Sequence, residues 1–272
     1  MQSFNASPRE FVASAVRNRA LIYNLVKREV IGRYKGSMLG ILWSFFNPVF
    51  MLAVYTFVFS VVFNARWAGG GQSKTEFALI LFAGLIVFNL FADCFNRAPG
   101  LVLANANYVK KVVFPLEILP WVAVGSALFH AMISVVVWVI FYVFVVGVPH
   151  LTILLLPITI IPLVLLSVGV SWALASLGVY LRDVSQLVAV LTTVLMFLSP
   201  IFFPIEALPE QYRPLLKMNP LAPAIAEMRD ILYFGGIPKI SSFCIYFAAC
   251  SLVAWLGFAW FQKTRKGFAD VL

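Results

Sequence analysis

The residues able to do chemistry are few, and most of them lead away from catalysis. Gly69-Gly70-Gly71-Gln72-Ser73-Lys74-Thr75 superficially resembles a phosphate-binding loop, in which backbone N–H groups and a lysine cradle nucleotide phosphates. The glycine required just before the lysine is Ser73, and the segment falls in an outer loop between apolar runs, so it cannot bind ATP in that way. There is no HExxH and no Cys/His cluster. His130 lies within an apolar run and His150 in a turn, neither with a carboxylate nearby in sequence, and each is expected to satisfy a local hydrogen bond. Cys94, Cys244 and Cys250 form no CxxC, are odd in number and sit in apolar surroundings, which argues against a disulfide framework or a zinc site. They are read as lipid- or core-facing. Asp93 and Arg97 stand i, i+4, a spacing that lets opposite charges pair on one helix face. Beyond these two and Glu117 the apolar runs carry no ionisable chain of the kind an ion-coupled carrier needs. Whatever drives this protein is expected to come from outside the polypeptide.

The elements that position these residues follow from composition. Of 272 residues, 62% are apolar and 11% charged, and the net charge is +9. A soluble domain has roughly 45–50% and roughly 25%, so a soluble globule is excluded. The basic residues fall between apolar runs, which points to a membrane rather than to nucleic acid. The first 35 residues hold seven basic side chains and no apolar core of signal-peptide length, so no cleaved leader is expected.

Charge-free stretches of about 20 residues can cross about 30 Å of hydrocarbon as helices. The long stretch Ile118–Leu181 is split by Gly147, Pro149 and His150. The expected fold is an all-α integral membrane protein with six spans, at about 38–63, 77–98, 118–146, 151–181, 184–203 and 240–262. Fourteen of the twenty Lys and Arg residues fall on the side of the two termini, so by the positive-inside rule both ends are expected in the cytoplasm.

Three segments lie outside the hydrocarbon. Residues 8–35 begin with Ser7-Pro8-Arg9-Glu10, a cap hydroxyl, a first-turn proline and a capping-box glutamate. They read as an amphipathic interface helix with Val12, Val16, Tyr23, Val26 and Val30 on one face and Arg17, Asn24 and Arg28 on the other, suited to anionic lipid. Residues 100–115 read as a short cytoplasmic helix or turn, either a connector or a docking knob. Residues 204–236 are punctuated by prolines, and such backbone is tolerable at membrane depth only when helical or buried in protein. Short re-entrant outer helices are expected there, as a lid over a pathway or as a packing wedge.

Two helix faces suggest a pathway. Trp43, Phe46, Asn47, Phe50 and Phe57 share a stripe in the first span, and Ser185, Ala189, Thr192, Met196, Ser199 and Phe203 share one in the fifth. Aromatic faces suit the apolar face of a pyranose, and hydroxyls can exchange hydrogen bonds with a passing sugar. The same stripes also suit lipid contact and helix packing.

Several long segments resemble a known family. Residues Arg33 to Pro48 (RYKGSMLGILWSFFNP) are similar to the entry of the first span in polysaccharide-export permeases of the ABC type-2 exporters. Tyr108 to Pro120 (YVKKVVFPLEILP) is similar to their loop before span three. Leu181-Arg182-Asp183-Val184-Ser185-Gln186, Leu198 to Pro204 and Leu221-Ala222-Pro223 resemble their later signatures. Leu116 departs from the pattern, because relatives often carry a basic residue there, so no charge-dependent docking role is assigned to it.

The resemblance implies a non-enzymatic, homodimeric, multi-pass subunit of the bacterial inner membrane. Two copies of a separate ATPase would bind ATP and Mg, this chain itself holding no cofactor. The cargo implied is an O-antigen or similar polyprenyl-pyrophosphate-linked glycan. Teichoic acid, capsule or another lipid is the alternative on the same architecture, and a membrane-embedded transferase or an ion-driven flippase a more distant one. Carried over residue by residue, the resemblance implies ATPase coupling through Asn107, Tyr108, Lys110 and Lys111. It also puts Arg28, Arg33 and Lys35 near a cytoplasmic entrance, and charge and position suggest that these three and Arg97 receive the pyrophosphate of the substrate.

Overall fold

Apolar side chains at this density leave the backbone no solvent to bond with, so it must satisfy itself within helices. The computed structural model describes residues 5–58, 74–111, 114–205 and 209–272, and these are helical, with no strand among them. The Gly69–Ser73 part of the loop that resembles a phosphate site lies outside the described residues, as do Val112, Val113 and 206–208.

The chain begins with α1 (Pro8–Arg17) and α2 (Arg19–Arg33). The Ser7 hydroxyl accepts from the Glu10 N–H at 3.2 Å, as the cap pattern predicts. The reciprocal half of the box is absent: the Ser7 N–H goes to Asn5 Oδ1, and the Glu10 carboxylate pairs with Arg17. The single helix expected over 8–35 is broken at Asn18, whose backbone leaves helical geometry while its amide donates back to the Ser14 carbonyl. Phe11 and Ser14 turn to the protein, with Phe11 packed among Trp121, Trp172 and Phe258. Val12, Val16 and Tyr23 are exposed, and Val30 is buried.

Next come α3 (Trp43–Phe57), α4 (Lys74–Arg97), α5 (Ala106–Lys111), α6 (Leu119–Val145), α7 (Leu156–Thr159), α8 (Ile161–Tyr180) and α9 (Val184–Leu198). After them follow α10 (Arg213–Lys217), α11 (Ala222–Arg229), α12 (Ile240–Thr264) and α13 (Phe268–Val271). Five helical stretches, Gly40–Phe57, Thr75–Gly100, Leu116–Val145, Leu151–Tyr180 and Ile240–Val271, are long and apolar enough to cross a membrane. At 15 residues α9 is shorter, and at 1.5 Å per residue it covers about 22 Å. It stops before the predicted end at 203 because Pro200 restrains Ser199 to an extended conformation.

The hub is α4. Its most apolar stretch is 89% buried, against 11% for α3, and α6, α8, α11, α3 and α9 all pack on it. The closest helix pair is α8 with α12. A Cβ on Gly257 would stand 2.1 Å from the Gly169 carbonyl oxygen, so only glycine lets the two backbones approach this closely. Gly178 similarly receives the Pro99 carbonyl. A buried ion pair, Arg265 to Glu117 at 2.7 Å, joins the end of α12 to the start of α6, and the Ser14 hydroxyl of α1 donates to the same carboxylate.

The proline-punctuated segment, read as a lid or a packing wedge, packs against the bundle. Leu221, Ile225 and Ile231 are fully buried, and α11 packs against α4. Arg229, 5% exposed, donates from Nε to the Ile80 carbonyl and from its terminal nitrogens to the Pro200 and Ile201 carbonyls at 2.6 Å. Burial lowers its pKa to about 9, which still leaves it cationic near neutrality. The planar fork thus satisfies carbonyls that the break after α9 frees from the helix ladder.

Candidate functional site

Helix α4 owes its chemistry to four residues. From Phe77 to Ala98 every side chain is buried except Asn89, Asp93, Asn96 and Arg97. Their spacing, i, i+4, i+7 and i+8, puts them on one face. An otherwise enclosed apolar helix therefore presents a single polar stripe.

Helix α2 climbs beside this stripe and supplies its ionic partners. Arg33 donates to both Asp93 oxygens, at 2.8 and 3.2 Å, and Arg97 pairs with Glu29. Asp93 and Arg97 are also within 3.5 Å, the pairing their spacing predicts, but each has a shorter contact with α2. Two cations and two carboxylates make a chain of zero net charge. Around its upper part opens a cavity of about 290 Å³ between α2, α3, α4 and α6. Asn47 of α3, Asn89 and Asp93 of α4, Tyr34 at the end of α2, and His130 and Ser134 of α6 line it. The Tyr34 hydroxyl lies 3.4 Å from His130 Nδ1, while His130 Nε2 is buried with no hydrogen-bond partner among the described residues. Burial raises the Tyr34 phenol above its ordinary pKa, so it keeps its proton.

Below the cavity, the expected coupling segment is braced by α2. The Arg28 guanidinium donates to the Tyr108 hydroxyl at 3.2 Å, and Tyr108 stacks on Phe114 with ring centroids 4.3 Å apart. Asn107 is exposed. Lys110 and Lys111 belong to the backbone of α5, and their side chains lie outside what is described.

The residues anticipated for a cytoplasmic entrance thus divide. Arg33 and Arg97 are committed to carboxylates, because a charge this close to hydrocarbon is costly unless paired. Arg28 and Lys35 remain exposed.

The two pathway stripes flank the same hub, since α3 and α9 both pack on α4. Trp43, Phe46, Phe50 and Phe57 are exposed along α3, with Phe46 and Phe50 centroids 6.2 Å apart, while Asn47 also borders the cavity. On α9, Ser185 is exposed and Met196 is half-buried, as is Phe203 beyond its end. Thr192 donates to Asn96 Oδ1 at 2.9 Å, which ties the second stripe to the polar face of α4. Ser199 departs from the expected role. It is fully buried, donating to the Leu195 carbonyl and accepting from Asn219 Nδ2 at 2.9 Å, so here it holds the wedge rather than facing a path.

Glu29, Asn89, Tyr34 and Arg229 were not singled out from sequence. Asn89 had the strongest available signal, as a lone amide in an apolar run four residues before Asp93. Arg229 had only its isolation among apolar neighbours. Cys94 and Cys250 are buried and Cys244 exposed, all three as free thiols. Among the described residues no group of three His, Cys, Asp or Glu side chains could hold a metal ion.

Comparison with known proteins places this arrangement in context. The family model for ABC-2 type transporters matches residues 20–233. The chain is 28% identical over 254 residues to the O-antigen export system permease protein RfbA of Klebsiella pneumoniae, covering 93% of this chain and 95% of that protein. The protein of the same name from Myxococcus xanthus is 25% identical over the same extents. The polysialic acid transport protein KpsM of Escherichia coli is 27% identical over 220 residues, 79% of this chain and 82% of its own length.

Proposed function

Since this chain belongs to the ABC-2 type transporter family, we propose that it is the membrane-spanning subunit of an ATP-driven exporter carrying a lipid-linked polysaccharide, an O-antigen, across the bacterial inner membrane. The observation that carries the reading is end-to-end similarity to O-antigen export permeases, over 93% of this chain. Similarity to a polysialic acid transport protein keeps capsular polysaccharide as the second reading of the cargo.

In this proposal six helices cross the membrane, α9 with its following turn being the short fifth, and both termini lie in the cytoplasm. Two copies of the chain pair, each seated on a separate ATPase subunit that binds ATP and Mg. The exposed apolar faces of α3 and α9 become the walls of a path once two copies meet. Asn107, Tyr108, Lys110 and Lys111 form the ATPase contact, and the Arg28–Tyr108 bond gives that contact a direct handle on α2. Through Glu29–Arg97 and Arg33–Asp93, α2 in turn grips the polar stripe of α4. Nucleotide binding biases the path only if the ATPase favours one arrangement of these helices over another. Arg28 and Lys35, the exposed cations near the entrance, receive the pyrophosphate of the carrier lipid.

Deleting the gene from its native host and fractionating the envelope tests the reading. Surface polysaccharide should vanish while its lipid-linked form accumulates in the inner membrane, and plasmid-borne wild type should restore export. Unchanged surface polysaccharide would reject it.

A further inference from the structure

The cavity beside the ion-pair chain is a curious thing to find in a membrane protein. Polar side chains at membrane depth are costly unless they pair with one another or face a water-filled or ligand-filled space. Asn89 lies near the middle of the Thr75–Gly100 span and is exposed on a helix otherwise enclosed by protein. His130 borders the same cavity, and its Nε2 is buried with no hydrogen-bond partner among the described residues. The two observations are independent, and both put polar side chains at the wall of one cavity in the bundle.

The chemistry of the wall narrows what could use it. An anion would meet Arg33, but Asp93 already occupies that guanidinium through two hydrogen bonds and would repel a second negative charge. A cation would meet Arg33, beside an Asp93 whose charge that guanidinium already neutralises. A purely apolar ligand would leave Asn89, Asn47 and His130 desolvated and unbonded. A neutral ring bearing several hydroxyls fits: each hydroxyl both donates and accepts, Asn47 and Asn89 offer both functions, and Asp93 accepts. The volume, about 290 Å³, sits at the lower end of the roughly 300–1,000 Å³ usual for small-molecule sites, which is room for one sugar ring rather than a chain.

We propose that this cavity is a binding site for a single neutral sugar residue, with Asn89 and His130 as its recognition residues and the Arg33–Asp93 pair as its floor. The proposal rests on the glycan-export reading for its biological sense, but not for its chemistry. It places sugar recognition on the polar face of α4, between Asn47 of α3 and His130 of α6, rather than on the exposed aromatic stripe alone.

The full chain in lipid nanodiscs is tested by saturation-transfer NMR with the methyl glycosides of mannose, galactose and rhamnose, and with inorganic pyrophosphate as competitor. At least one glycoside should receive saturation from the wild type. That signal should fall at least fivefold in Asn89→Leu, which keeps the side-chain volume, and in His130→Phe, which keeps a ring. Cys244→Ser, on an exposed position of α12, should leave it unchanged. Thermal melting of each variant shows whether it is folded, and two variants on different helices guard against one failing to assemble. The absence of transfer from every glycoside, transfer indifferent to both substitutions, or displacement of the glycoside by pyrophosphate would each overturn the proposal. Export in the native host separates it from the reading above. No glycoside binding by a wild-type chain whose deletion abolishes surface polysaccharide sinks the site alone, whereas glycoside binding by a chain whose deletion leaves surface polysaccharide intact sinks the export reading alone.

Discussion

Replacing Glu117 with Gln should cost this protein more stability than any comparable change at its surface. The Glu117 and Arg265 side chains are 9% and 10% exposed and meet at 2.7 Å, and Glu117 also accepts from Ser14. One carboxylate therefore ties α1, the start of α6 and the end of α12. Glutamine is nearly isosteric and can still accept from Ser14, so the loss is chiefly the charge. Arg265 would keep neutral acceptors such as Gln262 Oε1 at 3.0 Å, but a buried guanidinium would face no carboxylate. Removing one partner of a buried pair typically costs about 3–5 kcal/mol. At roughly 2–4 °C per kcal/mol for a chain of this size class, the melting temperature should fall by on the order of 10 °C. The assay is thermal unfolding in nanodiscs across the cycle of wild type, Glu117→Gln, Arg265→Met and the double variant. The double variant should recover most of the loss, because two neutral side chains leave no orphaned charge. A single-variant cost below about 1 kcal/mol, the range of solvent-exposed pairs, or a coupling energy near zero would refute the argument.

Three further outcomes are expected from the same physics. Arg229→Lys should destabilise the α10–α11 segment almost as much as Arg229→Met, by about 3 kcal/mol for two lost hydrogen bonds to a charged group, since a single ammonium nitrogen cannot reach three carbonyls spaced for Nε and two terminal nitrogens; protease accessibility of that segment reads it. Gly257→Ala should weaken the α8–α12 contact severely, its Cβ falling 2.1 Å from the Gly169 carbonyl oxygen, and should lower the yield of folded protein at extraction. Glu227 has its pKa raised, first by burial and then by Asp230, and its Oε2 is buried with no hydrogen-bond partner among the described residues. A carboxyl whose folded pKa lies above its unfolded value disfavours folding once ionised, so its penalty is present at neutral pH and is relieved as pH falls through the raised pKa. Glu227→Gln should therefore melt higher than wild type at pH 7, with the gap closing towards pH 4, as differential scanning at several pH values would show.

The parts of this molecule legible from sequence are those governed by one-dimensional patterns. Apolar runs bounded by charge located the long helices, and Ser7-Pro8 marked the start of α1, because span length and capping depend on neighbours in the chain. The single helix expected over 8–35 failed at Asn18, where one local backbone bond competes with the helix ladder and no composition shift announces it. The side of α1 that meets the protein, carrying Phe11 and Ser14, was illegible for a different reason. Valines at helical spacing look inward in a soluble protein, but here lipid is as good a neighbour for Val12 and Val16 as protein is, so apolarity no longer distinguishes inside from outside. Asp93 and Arg97 were correctly read as partners, yet their shorter contacts are with Arg33 and Glu29, sixty or more positions away, and nothing local encodes that. Ser199 was placed on a path by periodicity that does not continue through the break at Pro200. The cavity itself has no sequence signature beyond a single asparagine in an apolar run.

The central claim is that this chain contributes a membrane path and no energy of its own, the work being done by a separate ATPase seated against α2 and α5. The most direct measurement reconstitutes the purified chain in proteoliposomes loaded with a fluorescent polyprenyl-pyrophosphate-linked glycan, with and without the candidate ATPase, and follows the glycan's passage across the bilayer. The account predicts movement only when both proteins, ATP and Mg are present, and none when a proton gradient replaces the ATPase. Movement driven by a proton gradient in the chain alone, or nucleotide hydrolysis by the isolated chain, would contradict it.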